Sequence, residues 1–373
     1  MQVAYIFPTS HHYRAPFHEA LRSRLAARGV DYIVVYCEPS AENRKKRDTV
    51  DISWGRKVAL TRLPGGILYQ HGLRSALKSD LVIIQQENSL ALNYILNIAS
   101  VIGVKRVAYF GHGRNFQARD SNSRAERWKR FWATKVNWWF AYTEATRQHV
   151  VSLGFPVERI TVFNNAVDTS TALAQITDTT PQRLITRRTE LGIGSDDIGV
   201  FVGGLYPDKR LEFLVDAADM IRAQVPTFTL LVIGGGNQLP LMQKFSETRP
   251  WLKVMGPRFG ADKIELMMLG KLFLMPGLVG LAVVDAGAAG LPTVTTAFPY
   301  HSPEIAYVED GKNGIIVQDW KSSRAYADAV VDLLHDVPRQ VALSEAARAM
   351  ADGLSVEAMA DNFARGVLTA LAA

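Results

Sequence analysis

The sequence predicts an α/β protein of two doubly wound domains, each a parallel sheet with helices on both faces. Three observations carry that prediction. One order of elements occurs twice: "QVAYIFPTSHHYRAPFHEALRSRLAARGVDYIVVYC" reads as strand, polar loop, amphipathic helix and strand, and about two hundred residues later "IGVFVGGLYPDKRLEFLVDAADMIRAQVPTFTLLVIGGG" repeats it. Short β-branched runs that alternate with helical patterns call for crossover connections, and hence for parallel strands. A chain of 373 residues is also too long for one ordinary domain and comfortable for two.

Taken in order, the first half adds strand-like runs at "DLVIIQQ", "KRVAYFG", "WWFAYTE" and "RITVFNN". The stretch "DTSTALAQITDTTPQ" (168–182) is rich in Thr, Ser and Asp, lacks a sustained apolar period and is expected to hold the boundary. A helix over Arg183 to Leu191 then leads into the second half, whose further strands are "LKVMG", "KLFLMPG" and "PTVTT". The closing "SVEAMADNFARGVLTALAA" is a helical pattern with Ser355 as its cap. The expected domains are 1–175 and 176–350, with a helix over 351–373 that packs back on the first.

Composition narrows the class. Hydrophobic residues make up 48% and charged residues 21%, which is that of a soluble globular protein. A lone cysteine, Cys37, excludes an internal disulfide framework and fits a reducing compartment. The N-terminal "MQVAYIFPTSHHYR" lacks the basic segment and long apolar run of a secretory signal, so a cytoplasmic protein is expected. The apolar stretches Leu90 to Val104 and Leu272 to Val284 are shorter than the roughly 20 residues a membrane span needs. A net charge of +6 favours anionic partners.

In open α/β sheets ligands bind outside the carboxyl ends of the strands, so the loops that follow strands are the candidate sites. Four such loops stand out in the second half. "GGLYPDK" sets Gly203 and Gly204 after a strand and Lys209 before a helix: glycine permits close backbone approach to a phosphate, and lysine neutralises its charge. "GGGN" offers Gly234 and Gly235, and "GPRF" offers Arg258. "PGLVGLAVVDAGAAGLP" supplies a turn of Gly277, Leu278, Val279 and Gly280, with Asp285 inside the following helix. Each loop alone is as readily a plain turn; the case rests on four in consecutive units. None has the spacing of a phosphate-binding Walker loop or of a dinucleotide fingerprint.

The first half offers acceptor-side candidates. "YFGHGRN" places His112 directly after a strand, "TSHHYRAPF" brings His11, His12 and Arg14 into the first strand-to-helix loop, and "QQENS" adds Glu87 and Asn88. The histidines lack metal-ligand spacing, and no metal is expected. "RAERWKRFWATKVNWW" (124–139) mixes five Arg or Lys residues with five aromatics, as an interfacial helix on an anionic membrane would; such spacing also suits an ordinary helix that divides between core and surface. "RKKR" (44–47) is a second basic patch. No nucleic-acid-binding signature accompanies the charge, and no nucleic-acid partner is expected.

Across nearly its whole length the chain resembles the family 4 nucleotide-sugar glycosyltransferases, through "RITVFNNAVDT", "VFVGGLYPDKRLEFLVDA" and "PEIAYVEDGKNGIIV". The resemblance implies a GT-B fold, two Rossmann-like domains facing a cleft. It also implies retaining, metal-independent transfer of a sugar from a nucleotide diphosphate donor to a glycan or lipid-linked saccharide acceptor. The natural setting is bacterial surface-polysaccharide synthesis in the cytoplasm or on the inner face of the cell membrane. It gives Lys209 the donor phosphates, Asp285 the nucleotide ribose, the amides of the 278–280 turn the sugar and diphosphate, and His112 a place beside the anomeric centre. Two positions depart from the family pattern. Gly277 stands where a first acid is usual, and Gly204 stands where an arginine is usual. The departures keep two other readings in view, a non-catalytic nucleotide-sugar-binding subunit and a sugar-nucleotide epimerase.

Overall fold

The computed structural model describes residues 1–11, 14–38, 49–113, 123–166 and 169–373. They form two units, Met1–Val167 with Val356–Ala373, and Asp168–Ser355. His12 and the basic run Arg44 to Arg47 lie outside the described residues.

The first unit strings together β1 (Gln2–Thr9), β2 (Asp31–Cys37), β3 (Arg56–Val58), β4 (Leu60–Arg62), β5 (Leu68–Gln70), β6 (Leu81–Gln85), β7 (Arg106–Gly111), β8 (Trp138–Ala141) and β9 (Ile160–Val162). Seven of them make a parallel sheet in the order β3-β2-β1-β6-β7-β8-β9, while β4 and β5 form a small antiparallel pair. Runs such as "LVIIQ" and "WWFA" are buried on both faces, as parallel strands covered by helices must be. On one face Ile84, Leu92, Leu96, Tyr109 and Trp139 form a continuous core.

On the other face an aromatic cluster receives the helix Val356–Ala372. Phe363 stacks on Phe140 with ring centroids 4.0 Å apart and meets Phe17 and Phe163 edge-on. Gly366 allows the close approach, since a Cβ there would lie 2.4 Å from the Thr161 hydroxyl.

The second unit holds β10 (Ile198–Val202), β11 (Thr229–Ile233), β12 (Leu252–Gly256), β13 (Leu272–Met275), β14 (Thr293–Thr296) and β15 (Gly314–Val317). They form one parallel sheet, β12-β11-β10-β13-β14-β15. The chain enters this unit earlier than 176. The expected linker contains the helix Ser170–Asp178, which packs on Gly260–Met268 and so belongs to the second unit's contacts. That packing supplies the apolar partner which the linker's own composition does not reveal.

In each sheet the strand order turns back on itself beside the first strand, between β1 and β6 and between β10 and β13. These switch points open crevices at the carboxyl ends of the strands, the standard location of a ligand in such sheets.

Candidate functional site

At the switch point of the second unit, the loop after β10 and the turn after β13 are locked together. Lys209 is buried and donates from Nζ to the Leu278 carbonyl at 2.5 Å, and the Leu278 amide donates to the Asp208 carbonyl at 2.9 Å. Gly277 lies flat against this contact: a Cβ on it would stand 2.2 Å from the Asp208 oxygen and 2.6 Å from the Lys209 carbonyl carbon. Burial pulls the Lys209 ammonium down to about 8, against the opposing influence of the buried Glu304 and of Asp208.

A histidine buttresses the same turn. Val279 donates its amide to His301 Nδ1 at 3.0 Å, so the proton sits on Nε2, which faces the Thr296 carbonyl at 2.8 Å. Burial, reinforced by the nearby cations Lys209 and Arg210, holds His301 at about 4, while the Thr296 bond works the other way. Arg210 adopts a left-handed backbone (φ 57°). Its guanidinium lies 4.0 Å over the Phe213 ring and donates to the Pro276 carbonyl at 3.2 Å.

These bonds alter the expected roles. The amides of Leu278 and Val279 are taken by Asp208 and His301, so they do not face a ligand as expected; Gly280 remains the turn's candidate donor. Gly203 donates its amide to the Ile233 carbonyl and Gly234 donates to Gly256, at 3.0 and 2.9 Å. At Gly234, with φ 152°, a Cβ would fall 1.8 Å from the Gly203 oxygen, so this glycine lets the loops after β10 and β11 pass each other. Gly235 packs on Pro257 and accepts from the Leu205 amide. Those glycines therefore have a structural cause. A Cβ on Gly204 would meet the Tyr206 ring at 2.5 Å. Arg258 is exposed, bonded to the Met255 carbonyl and paired with Asp262, while Asp285 is paired with Lys263 at 2.9 Å.

At the switch point of the first unit, a cavity of about 510 Å³ opens over Tyr5, Phe7 and Phe110. It gathers His11, Arg14, Glu87 and His112 from the loops after β1, β6 and β7. His112 stacks on Tyr142 with ring centroids 4.1 Å apart, and Arg14 donates to the Tyr142 hydroxyl at 3.4 Å. Burial, with Lys129 and Arg14 nearby, pulls the His112 imidazole down to about 3. Asn88 does not line this cavity. Its amide donates to the Ala125 carbonyl at 2.9 Å and anchors the helix Arg124–Ala133.

Two family models divide this architecture between them. The model of Glycosyltransferase Family 4 matches residues 19–171, and that of Glycosyl transferases group 1 matches residues 196–336. The chain belongs to the family 4 glycosyltransferases. Its fold is that of the GT-B glycosyltransferases. HepE of Anabaena, solved with UDP, superposes with a TM-score of 0.73 at 18% identity, over 99% of this chain and 100% of that one. A glycosyltransferase from Rickettsia africae does so at 0.70 and 14%, over 99% and 97%. Among curated relatives, a GDP-mannose-dependent alpha-(1-6)-phosphatidylinositol monomannoside mannosyltransferase of Mycolicibacterium smegmatis is 30% identical over 174 residues. That match covers 43% of this chain and 44% of the relative, so the chain spans less than half the length of the curated relatives it matches.

For this glycosyltransferase family member, several site residues carry no advance signal. Tyr142, which joins Arg14 to His112, reads as one aromatic in a strand end, and His301 is the last residue of an unremarkable "TTAFPYH". Lys263, Arg62 and Glu304 come from segments distant in sequence, and only the fold brings them to the two crevices.

Proposed function

We propose that this chain transfers a sugar from a nucleotide diphosphate donor to a glycan or lipid-linked saccharide acceptor, with retained anomeric configuration and no metal ion. The setting we assign is bacterial surface-polysaccharide synthesis on the cytoplasmic side of the membrane. The observation that carries the reading is Lys209, an ammonium buried at the second unit's switch point and fixed to the turn that opens the crevice. A buried cation at such a place is suited to a phosphate anion. In the proposed reaction the acceptor oxygen bonds to the anomeric carbon as the bond from that carbon to the diphosphate breaks. The departing diphosphate keeps the bonding pair and takes the acceptor's proton. Lys209 offsets its charge, Asp285 uses a carboxylate oxygen for the ribose, and the aromatic-floored cavity of the first unit takes the acceptor.

The relatives name different bases, GDP-mannose in one case and UDP in another, which sets the experiment. Calorimetry with UDP, GDP and ADP, with and without EDTA, is expected to give binding of one nucleotide that EDTA leaves unchanged. Donor turnover then falls by about a hundredfold in His112→Ala, with nucleotide affinity nearly unchanged. Equal turnover in that variant would remove the histidine from the mechanism, and failure of every nucleotide to bind would remove the donor site. A second reading, a non-catalytic nucleotide-sugar-binding subunit, is favoured by the missing acid at Gly277; it predicts nucleotide binding with no turnover.

A further inference from the structure

No step of the proposed transfer uses His18. It sits in the helix Ala15–Ala26 that follows β1, lines the first unit's cavity and is only 2% exposed. Its ring stacks on Phe7 with centroids 5.3 Å apart and meets Tyr5 edge-on at 5.0 Å. Its Nδ1 lies 2.9 Å from the hydroxyl of Tyr32, which comes from β2 and is buried.

Hydrogen bonding decides which ring nitrogen carries the proton. The Tyr32 phenol stays protonated, since burial pushes it well above its ordinary range. Among the described residues, His18 Nδ1 is its hydrogen-bond partner and no other serves. With the imidazole proton on Nδ1, the Tyr32 proton would be left buried and unmatched, which is costly. With that proton on Nε2, Tyr32 donates to Nδ1 and the pair is satisfied. The ring is also neutral: burial, with Arg14 adding to it, pulls it down to about 3. The Nε2 donor then has no partner among the described residues, and it belongs to a side chain on the cavity wall. A buried donor left unmatched beside a cavity is a place for a ligand oxygen.

The rest of the cavity says which oxygen. Tyr5, Phe7 and Phe110 give it aromatic surface, suited to the apolar C–H face of a pyranose ring. Its charged side chains are of both signs, Glu38 and Glu87 with Arg14 and Arg62. A phosphate would meet two carboxylates there, whereas sugar hydroxyls donate to carboxylates and accept from guanidinium groups. We propose that this wall is a pyranose subsite, with His18 donating from Nε2 to a hydroxyl or ring oxygen of the sugar while Phe7 packs on its apolar face. Calling that sugar the acceptor rests on the transfer reading; the subsite itself does not. His18 is thereby a binding residue that selects a neutral, hydroxyl-rich group, and Tyr32 is the positioning residue that fixes its tautomer.

The test is nuclear magnetic resonance on the full chain carrying heavy-nitrogen histidine. The probes are methyl α-D-mannopyranoside, methyl β-D-glucopyranoside, methyl β-D-galactopyranoside and inorganic phosphate. The ring signals of His18 are those missing from His18→Gln. They are expected to show a neutral ring protonated at Nε2 in the free protein. At least one pyranoside should shift them and receive saturation from the protein, and phosphate should do neither. That pyranoside binds about tenfold more weakly to His18→Leu, while His18→Gln, whose amide can still donate, recovers most of the loss. Tyr32→Phe weakens the same binding and gives a mixture of tautomers without removing a sugar contact. Thermal melts identify any variant that fails to fold; should His18→Leu be one, His18→Gln and Tyr32→Phe carry the comparison. A proton on Nδ1, a response to phosphate alone, His18 signals unmoved by every pyranoside, or binding undiminished in folded His18→Leu overturns the proposal. Pyranoside binding by a chain that binds no nucleotide would support the subsite and remove the transfer reading.

Discussion

A side chain on Gly277 would stand 2.2 Å from the carbonyl oxygen of Asp208, in the loop that carries Lys209. The position where family 4 enzymes usually hold an acid is here closed by backbone. Gly277→Glu is thus expected to damage the site rather than restore it. Forcing atoms into this contact costs about 1–3 kcal/mol, seen as a thermal midpoint lowered by several degrees and as weaker nucleotide binding. Gly280→Ala is the control, since the nearest atom to a Cβ there is Leu278 Cδ2 at 4.0 Å. An unchanged midpoint in Gly277→Glu would mean that the turn opens without resistance.

Lys209 makes donor binding sensitive to pH. Its pKa is about 8 against an ordinary 10.5, so it loses its proton while most lysines keep theirs. Nucleotide diphosphate affinity should fall as pH rises through about 8 and beyond, and the fall should vanish in Lys209→Met. Stability moves the other way. Between about 8 and 10.5 the unfolded chain binds the extra proton, so this lysine's contribution to stability rises with pH across that window. Calorimetry and denaturant titration over the same pH series separate the two effects.

His301 holds the turn in its neutral form. His301→Leu removes the acceptor of the Val279 amide and the donor to the Thr296 carbonyl, at a cost of about 1–3 kcal/mol for each buried group left unsatisfied. The folded pKa of about 4 lies below the ordinary 6.5, so the folded state resists protonation. Wild type should lose stability relative to His301→Leu as pH falls from 6.5 towards 4, because the unfolded chain takes up the proton there. A difference that stays constant over this range would mean that the imidazole is protonated in the folded protein.

Much of the architecture was legible because it rests on local pattern. The β-branched runs at "IGVFV" and "TLLVI" became β10 and β11, and the repeated order of elements became two parallel sheets. Candidate site residues were legible chiefly where they lie in loops that follow strands, as His112 and Lys209 do. Glycine was the ambiguous signal. Gly234 reads like part of a phosphate cradle, yet its lack of a side chain is explained by the Gly203 oxygen at 1.8 Å from a built Cβ. A single sequence cannot distinguish backbone that approaches a ligand from backbone that approaches itself. His301, Tyr142 and Lys263 were hidden for another reason: their significance lies in partners brought near by topology, and no spacing rule links them.

The helix Val356–Ala372 makes the first unit discontinuous along the chain, whereas the second occupies one uninterrupted stretch. During synthesis the second unit can therefore complete its sheet on its own sequence. The first must wait, with Phe140 and Phe163 uncovered, until Phe363 has been added. This order of completion makes the first unit's aromatic face the place where a nascent chain is most open to chaperone capture or premature association.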